Sequence, residues 1–218
     1  MPNWPEPNVT LNLLAEVQKG DRAAVNRLLE RHRTSLRKMI QLRLDNRIAQ
    51  RVDASDVVQD VLLEANSRLK DYLSDPRIPF HLWLRQLAQD RMIDMHRRHR
   101  GAQRRSLDRE QSLESPQFAD RSGFDLMGQL ADHELTPAAA SIRKELETRF
   151  RAALEQLEEE DREIVLMRHF EQLGNSEVAE ALGLSAAAAG MRHLRALRKL
   201  RAVLNECPSE MKPQDPTP

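Results

Sequence analysis

The stretch from Ser176 to Leu204, SEVAEALGLSAAAAGMRHLRALRKLRAVL, constrains this chain's fold more than any other. A short run with Val178, Ala179 and Leu182 on one face stops at Gly183, and Ser185 opens a second, longer run. Glycine after a helical run takes the left-handed conformation without a Cβ penalty. Serine accepts from the free amides of the next helix's first turn. Two helices must therefore meet across a tight turn, with Ala179 small where they cross. The front of the second helix is four alanines and Gly190. That glycine costs about 1 kcal/mol against alanine in a helix interior.

The rest of the chain also reads as helical. Charged residues make up 31% of the 218 residues and aromatics 4%, with seven glycines. Strong helix formers therefore outweigh β-branched residues. Three prolines in the first ten residues predict a flexible tail over 1–9. Helical periodicity then runs from Thr10 to Gln50, interrupted at Gly20 and restarted by the cap Asp21. A second segment starts near Asp53 or Ser55 and continues through Val57, Val61, Ala65 and Leu69. Pro76 and Pro79 break it, and a third runs from Phe80 to about His99. These segments predict one helical domain over 10–100. Residues 101–136 lose periodicity and read as a flexible linker. Thr136-Pro137 reads as a cap and first helical position. It opens a second helical domain over 137–205, with helices at about 137–157, 159–170 and 176–182 before the basic one. The proline-rich residues 206–218 read as a disordered tail. The predicted class is all-α, with two small helical domains joined by a flexible linker.

The formal net charge is zero, but the cations are clustered. Seven arginines stand between Arg85 and Arg105 against Asp90 and Asp94. Arg192, Arg195, Arg198, Lys199 and Arg201 have no acid among them from Ser185 to Leu204. A solvated helix face would interleave acids at i,i+4, whereas clustered cations mark phosphate contact. The single cysteine, Cys207, excludes an internal disulfide and a cysteine-rich zinc site. The seven histidines form no HExxH set, and no phosphate-binding glycine loop or nucleophile elbow occurs. The expectation is a protein that is not an enzyme and takes no cofactor or metal. The sequence holds no apolar run of about 20 residues and no signal-peptide pattern, so no membrane insertion and a cytoplasmic location are expected.

In a helix-turn-helix the second helix enters the major groove with its N-terminal residues at the base edges, and its cations meet phosphate. Here the alanines and Gly190 offer a low face that suits thymine methyls and close backbone approach. The same small residues would also suit tight packing on the helix before them.

Two helical domains, a linker and a terminal helix-turn-helix resemble a bacterial sigma-70-family factor of the extracytoplasmic-function class. The resemblance covers about residues 20–100 as region 2 and 137–204 as region 4. The segment DASDVVQDVLLEA resembles region 2.2, which implies that Asp53, Asp56, Val57, Gln59 and Asp60 dock on the β′ clamp helices of core RNA polymerase. Asp53, Asp56, Asp60 and Glu64 fall on one helix stripe by spacing; spacing alone favours a solvated acidic face. FHLWLRQLAQDRMIDMHRRHR resembles regions 2.3 and 2.4, which melt and read the −10 promoter element. The resemblance assigns that role to Ser74, Arg77, Phe80, Trp83, Arg85, Arg91, Arg97 and Arg98. Aromatics with arginines suit unpaired strands, since stacking contributes about 1–3 kcal/mol per base. Trp83, flanked by Leu82, Leu84 and Leu87, also fits a core position.

LEQLEEEDREIVLMRHFEQLGNSEVAEALGLS follows the region 4 pattern. It implies −35 contacts from Ser185, Ala187, Ala188, Gly190, Met191, Arg192, Arg195, Arg198 and Lys199. The chain departs from that pattern at Ala189, Gly190 and His193. The implied partners are core RNA polymerase (through the β′ clamp helices and β flap), promoter DNA and an anti-sigma factor. The expected function is promoter recognition, DNA melting and initiation of transcription. The alternative is a helix-turn-helix regulator that is no polymerase subunit. A purely structural helical adaptor is a third reading, against which the two cation clusters speak.

Overall fold

The structure, a computed structural model, describes residues 4–44, 52–106 and 137–206. All regular secondary structure among the described residues is helical. Helix α1 is Pro7–Gln18, α2 Arg22–Arg43, α3 Ala54–Ser74 and α4 Phe80–Ser106. Helix α5 is Pro137–Glu155; α6 is Glu159–Val165 and passes directly into a π-helical turn, Leu166–Phe170. Helices α7, Asn175–Leu182, and α8, Ala186–Glu206, follow.

Local signals set most of these boundaries. Asp21 caps α2 by accepting from the amides of Ala23 and Ala24, and Asp53 caps α3 by accepting from Ser55. Gly183 sits at φ 65° and closes α7, with the Leu184 amide donating to the Ala179 carbonyl at 2.8 Å. Ser185 Oγ accepts from the Ala188 amide at 3.1 Å, which caps α8. The Tyr72 hydroxyl donates to the Ile78 carbonyl at 3.0 Å and anchors the loop between α3 and α4.

Helices α1 to α4 enclose one part of the core, around Leu28, Leu36, Met39, Ile40, Val61 and Leu84. Helices α6 to α8 enclose another, around Ile164, Met167, Val178, Ala189 and Ala196, and the buried apolar residues form one cluster across both. The two halves meet where α4 packs against α7.

Four features differ from the sequence expectations. The N-terminal stretch read as a tail holds the buried Trp4, whose ring lies 5.7 Å from His81, and α1 already begins at Pro7. Proline is suited to a first helical turn, where its missing amide has no partner to lose. Helix α2 ends at Arg43, with Leu44 extended, and residues 45–50 of the predicted helical run lie outside the described residues. Helix α4 continues past the expected boundary near Arg100, through Gly101, to Ser106. The helix predicted over 159–170 is α-helical only to Val165, and Gln172 beyond it has φ 56°. Residues 107–136 of the predicted linker, the proposed Thr136 cap and the tail from residue 207 lie outside the described residues.

Candidate nucleic-acid interface

The register of α8 divides its residues cleanly. Ala189 and Ala196 are fully buried and Leu200 nearly so, turning one face into the core. The opposite face exposes Ser185, Ala187, Ala188, Met191, Arg195, Arg198 and Lys199. Leu194, which sequence reasoning missed, joins Met191 as an exposed apolar side chain there. Ala189 is therefore packing, while Ala187 and Ala188 are surface. A Cβ built on Gly190 would meet only Asn175 Oδ1 at 3.9 Å, an ordinary contact. Packing within the chain does not require that glycine.

The cations of α8 are not equivalent. Arg192 pairs with Glu160 at 2.8 Å and is only partly exposed. Lys199 donates to Asp161 at 2.6 Å and to Glu158 at 3.2 Å; the Asp161 hydrogen bond foremost raises its pKa. Arg195 and Arg198 stand exposed on the same face as Met191. His193 meets His169 of the π turn, Nε2 to Nε2 at 2.9 Å, and burial lowers both imidazole pKa values.

The residues expected at the −10 element are split between surface and core. Ser74, Arg77, Arg97 and Arg98 are exposed, with Arg77 on Asp75 at 2.6 Å and Arg97 on Asp94 at 3.5 Å. Phe80 is buried, and Trp83 is half-buried and stacked on Tyr72 with centroids 4.7 Å apart. Both aromatics complete the core beneath the α3–α4 loop, so neither ring is free to receive a base in this arrangement. Arg91 pairs with Asp60 of α3.

Arg85 departs most from its expectation as a phosphate contact. It is 1% exposed and is held by Glu163 and Glu171 of the C-terminal half. Arg43, at the end of α2, meets the same two carboxylates, bidentate on Glu163 at 2.9 Å twice. Burial alone would raise the Glu163 carboxyl, but Arg43 and Arg85 outweigh it and hold the pKa below the usual range. Burial likewise opposes the charge on Arg43, yet Glu163 and Glu171 raise its pKa above the usual value. Sequence reasoning missed Arg43, Glu163 and Glu171, because only the fold brings them together.

Of the residues expected to face polymerase, Asp56, Gln59 and Asp60 lie on the exposed side of α3. Asp53 is exposed too, with its carboxylate engaged as the α3 cap. Val57 is 4% exposed and belongs to the core, as its place beside Val58 and Val61 dictates. Leu63, 61% exposed, extends the surface of α3 as an apolar patch that the acidic spacing did not reveal.

A family model for sigma-70 region 4 matches residues 147–200, which hold the Gly183 turn and most of α8. RNA polymerase sigma factor CnrH of Cupriavidus metallidurans is 30% identical over 194 residues, covering 88% of this chain and 93% of the relative. The chain belongs to the RNA polymerase sigma factors. Its class is extracytoplasmic-function: the sigma factor SigD of Mycobacterium tuberculosis, of that class, is 26% identical over 189 residues. That match spans 87% of this chain and 81% of SigD. The fold of this sigma factor is also that of CnrH solved in complex with the cytosolic domain of CnrY. The TM-score is 0.56 at 23% identity, over 90% of this chain and 97% of CnrH. Among the described residues no helix of the sigma factor is long and apolar enough to cross a membrane, and no cluster of three or more metal ligands occurs.

Proposed function

We propose that this sigma factor brings core RNA polymerase to its promoters by dividing the work between its two helical halves. The region over 137–205 reads the −35 element through α8. The region over 10–100 docks on polymerase through Asp56, Gln59 and Asp60 and meets the −10 element through the α3–α4 loop and the exposed arginines of α4. It carries out no chemistry itself, and it works in the cytoplasm with the polymerase. A protein partner that restrains the free factor fits the same reading, since the relative CnrH is found in complex with the cytosolic domain of CnrY.

The observation that carries the reading is the surface of α8. Ala187, Ala188 and Met191 present a low apolar front to a groove, and Arg195 and Arg198 stand behind it at phosphate reach. The buried alanines fix that face outward. Run-off transcription with purified core polymerase tests the reading. Initiation at defined genomic fragments only when this chain is added supports it. Polymerase binding without initiation at any fragment would favour a regulator that is no polymerase subunit.

A further inference from the structure

Where the two halves meet, the buried apolar cluster is joined by a group of four charges. Arg43 and Arg85 come from α2 and α4; Glu163 and Glu171 come from α6 and the end of the π turn. Their side chains are 9%, 1%, 13% and 0% exposed, so four formal charges share a site with almost no water. The count is balanced, two against two. Arg43 also donates to the Met39 carbonyl at 3.0 Å, and Arg85 to Gln89 at 3.1 Å, so each guanidinium is oriented by its own helix. Beside them His81 Nε2 lies 2.9 Å from Glu177 Oε1 of α7, and Trp4 covers the His81 ring.

The π turn explains how one helix supplies both carboxylates. Residues eight apart in an unbroken α-helix are about 80° out of phase. The i→i+5 bonding of Leu166–Phe170 widens the turn and reduces that offset, so Glu163 and Glu171 face the same two arginines. Each arginine is thus bound by two carboxylates in place of phosphate oxygens, a geometry guanidinium groups favour for either acid.

Such a site is firm in geometry but carries little net free energy. Desolvating four charges offsets most of their mutual attraction, whereas removing one sign alone strands the other without water. An interface of this kind closes one arrangement and yields when its ions are hydrated or offered other partners.

We propose that Arg43, Arg85, Glu163 and Glu171 form a latch that closes the free chain on itself, with Glu163 and Glu171 occupying Arg85 as internal mimics of DNA phosphate. In the closed state Arg85 cannot reach DNA; opening the latch delivers it to the promoter. The closure is intrinsic to this chain and needs no second protein. It rests on the sigma-factor reading only for what the freed arginine meets.

Small-angle X-ray scattering of the full chain, with circular dichroism, tests the closure apart from any transcription assay. The wild type is expected to scatter as a closed particle. The double variant Glu163→Gln, Glu171→Gln leaves two buried guanidinium groups unpaired; it is expected to show a larger radius of gyration at unchanged helicity. It is also expected to bind a promoter duplex several-fold more tightly at fixed salt. Glu30→Gln, which breaks the exposed pair with Arg33, is the control and is expected to leave the profile unchanged. A wild type that is already extended overturns the proposal, whether or not the variants fold. So does a double variant as compact as the wild type. If the double variant loses helicity, Glu171→Gln alone is measured with the same two outcomes. Expansion of the variant together with failed run-off transcription would sink the sigma-factor assignment of roles and leave the latch standing.

Discussion

The imidazoles of His169 and His193 meet at 2.9 Å, Nε2 to Nε2, and tie the π turn to α8. One ring must donate and the other accept, so the contact exists only while at least one imidazole is neutral. Burial is the first cause holding both pKa values below 6.5; Arg168 lowers both further, and His169 also lowers His193. A folded-state pKa below the unfolded one means that the unfolded chain binds more protons as pH falls. Stability is then full above about pH 6.5 and lost below it. His32 acts in the same direction: it is fully buried, its pKa is pushed down to about 4, and its Nδ1 lies 2.8 Å from the Leu28 carbonyl.

The first prediction follows from these histidines. Thermal unfolding followed by circular dichroism is expected to shift to lower temperature between pH 7 and pH 5. In His193→Leu that shift is expected to shrink without disappearing, because His32 still titrates. An equal shift in both proteins would mean that the pair contributes nothing.

Gly190→Ala isolates the cost of the bare backbone in α8. Room exists for the added Cβ, and alanine is favoured by about 0.5–1 kcal/mol in a helix interior. The variant is expected to unfold at a higher temperature. If the glycine serves close approach to DNA, gel-shift affinity for the promoter is expected to fall in the same variant. Greater stability with unchanged affinity would assign the glycine no role at the groove.

Arg195→Ala is expected to weaken promoter binding about uniformly across sequences and to lower the slope of log K against log salt by about 1. Titrations at several salt concentrations check it. Arg192→Ala, which first loses the Glu160 pair, is expected to change the slope less. Equal slopes for wild type and Arg195→Ala would remove Arg195 from the phosphate contacts.

Trp4→Ala examines the N-terminal segment. The ring is 7% exposed and packs against His32 and His81, and deleting a buried tryptophan costs about 3–5 kcal/mol. Chemical denaturation is expected to show a loss of that order. A loss below about 0.5 kcal/mol would match a loose tail instead.

The residues that declared themselves in sequence are those whose job is local. Asp21, Gly183 and Ser185 act within a few positions of themselves, so their caps and the left-handed turn could be read directly. The inner face of α8, with Ala189, Ala196 and Leu200 buried, keeps helical spacing. Trp4 defeated the same reasoning, because the prolines around it signal a tail while its burial depends on α2 and α4. The π turn has no signature in a run such as IVLMRHF. Arg85 read as one more cation in a basic stretch; only the distant Glu163 and Glu171 turn it into a core residue.

The ion pair between Arg91 and Asp60 joins a side chain assigned to DNA with one assigned to polymerase. A basic group that claims Asp60 strips Arg91 of its counter-charge and leaves it to a phosphate. A phosphate that claims Arg91 returns Asp60 to the polymerase. Linkage makes the two gains equal, so on the proposed roles each macromolecule would tighten the factor's grip on the other through a single exposed contact.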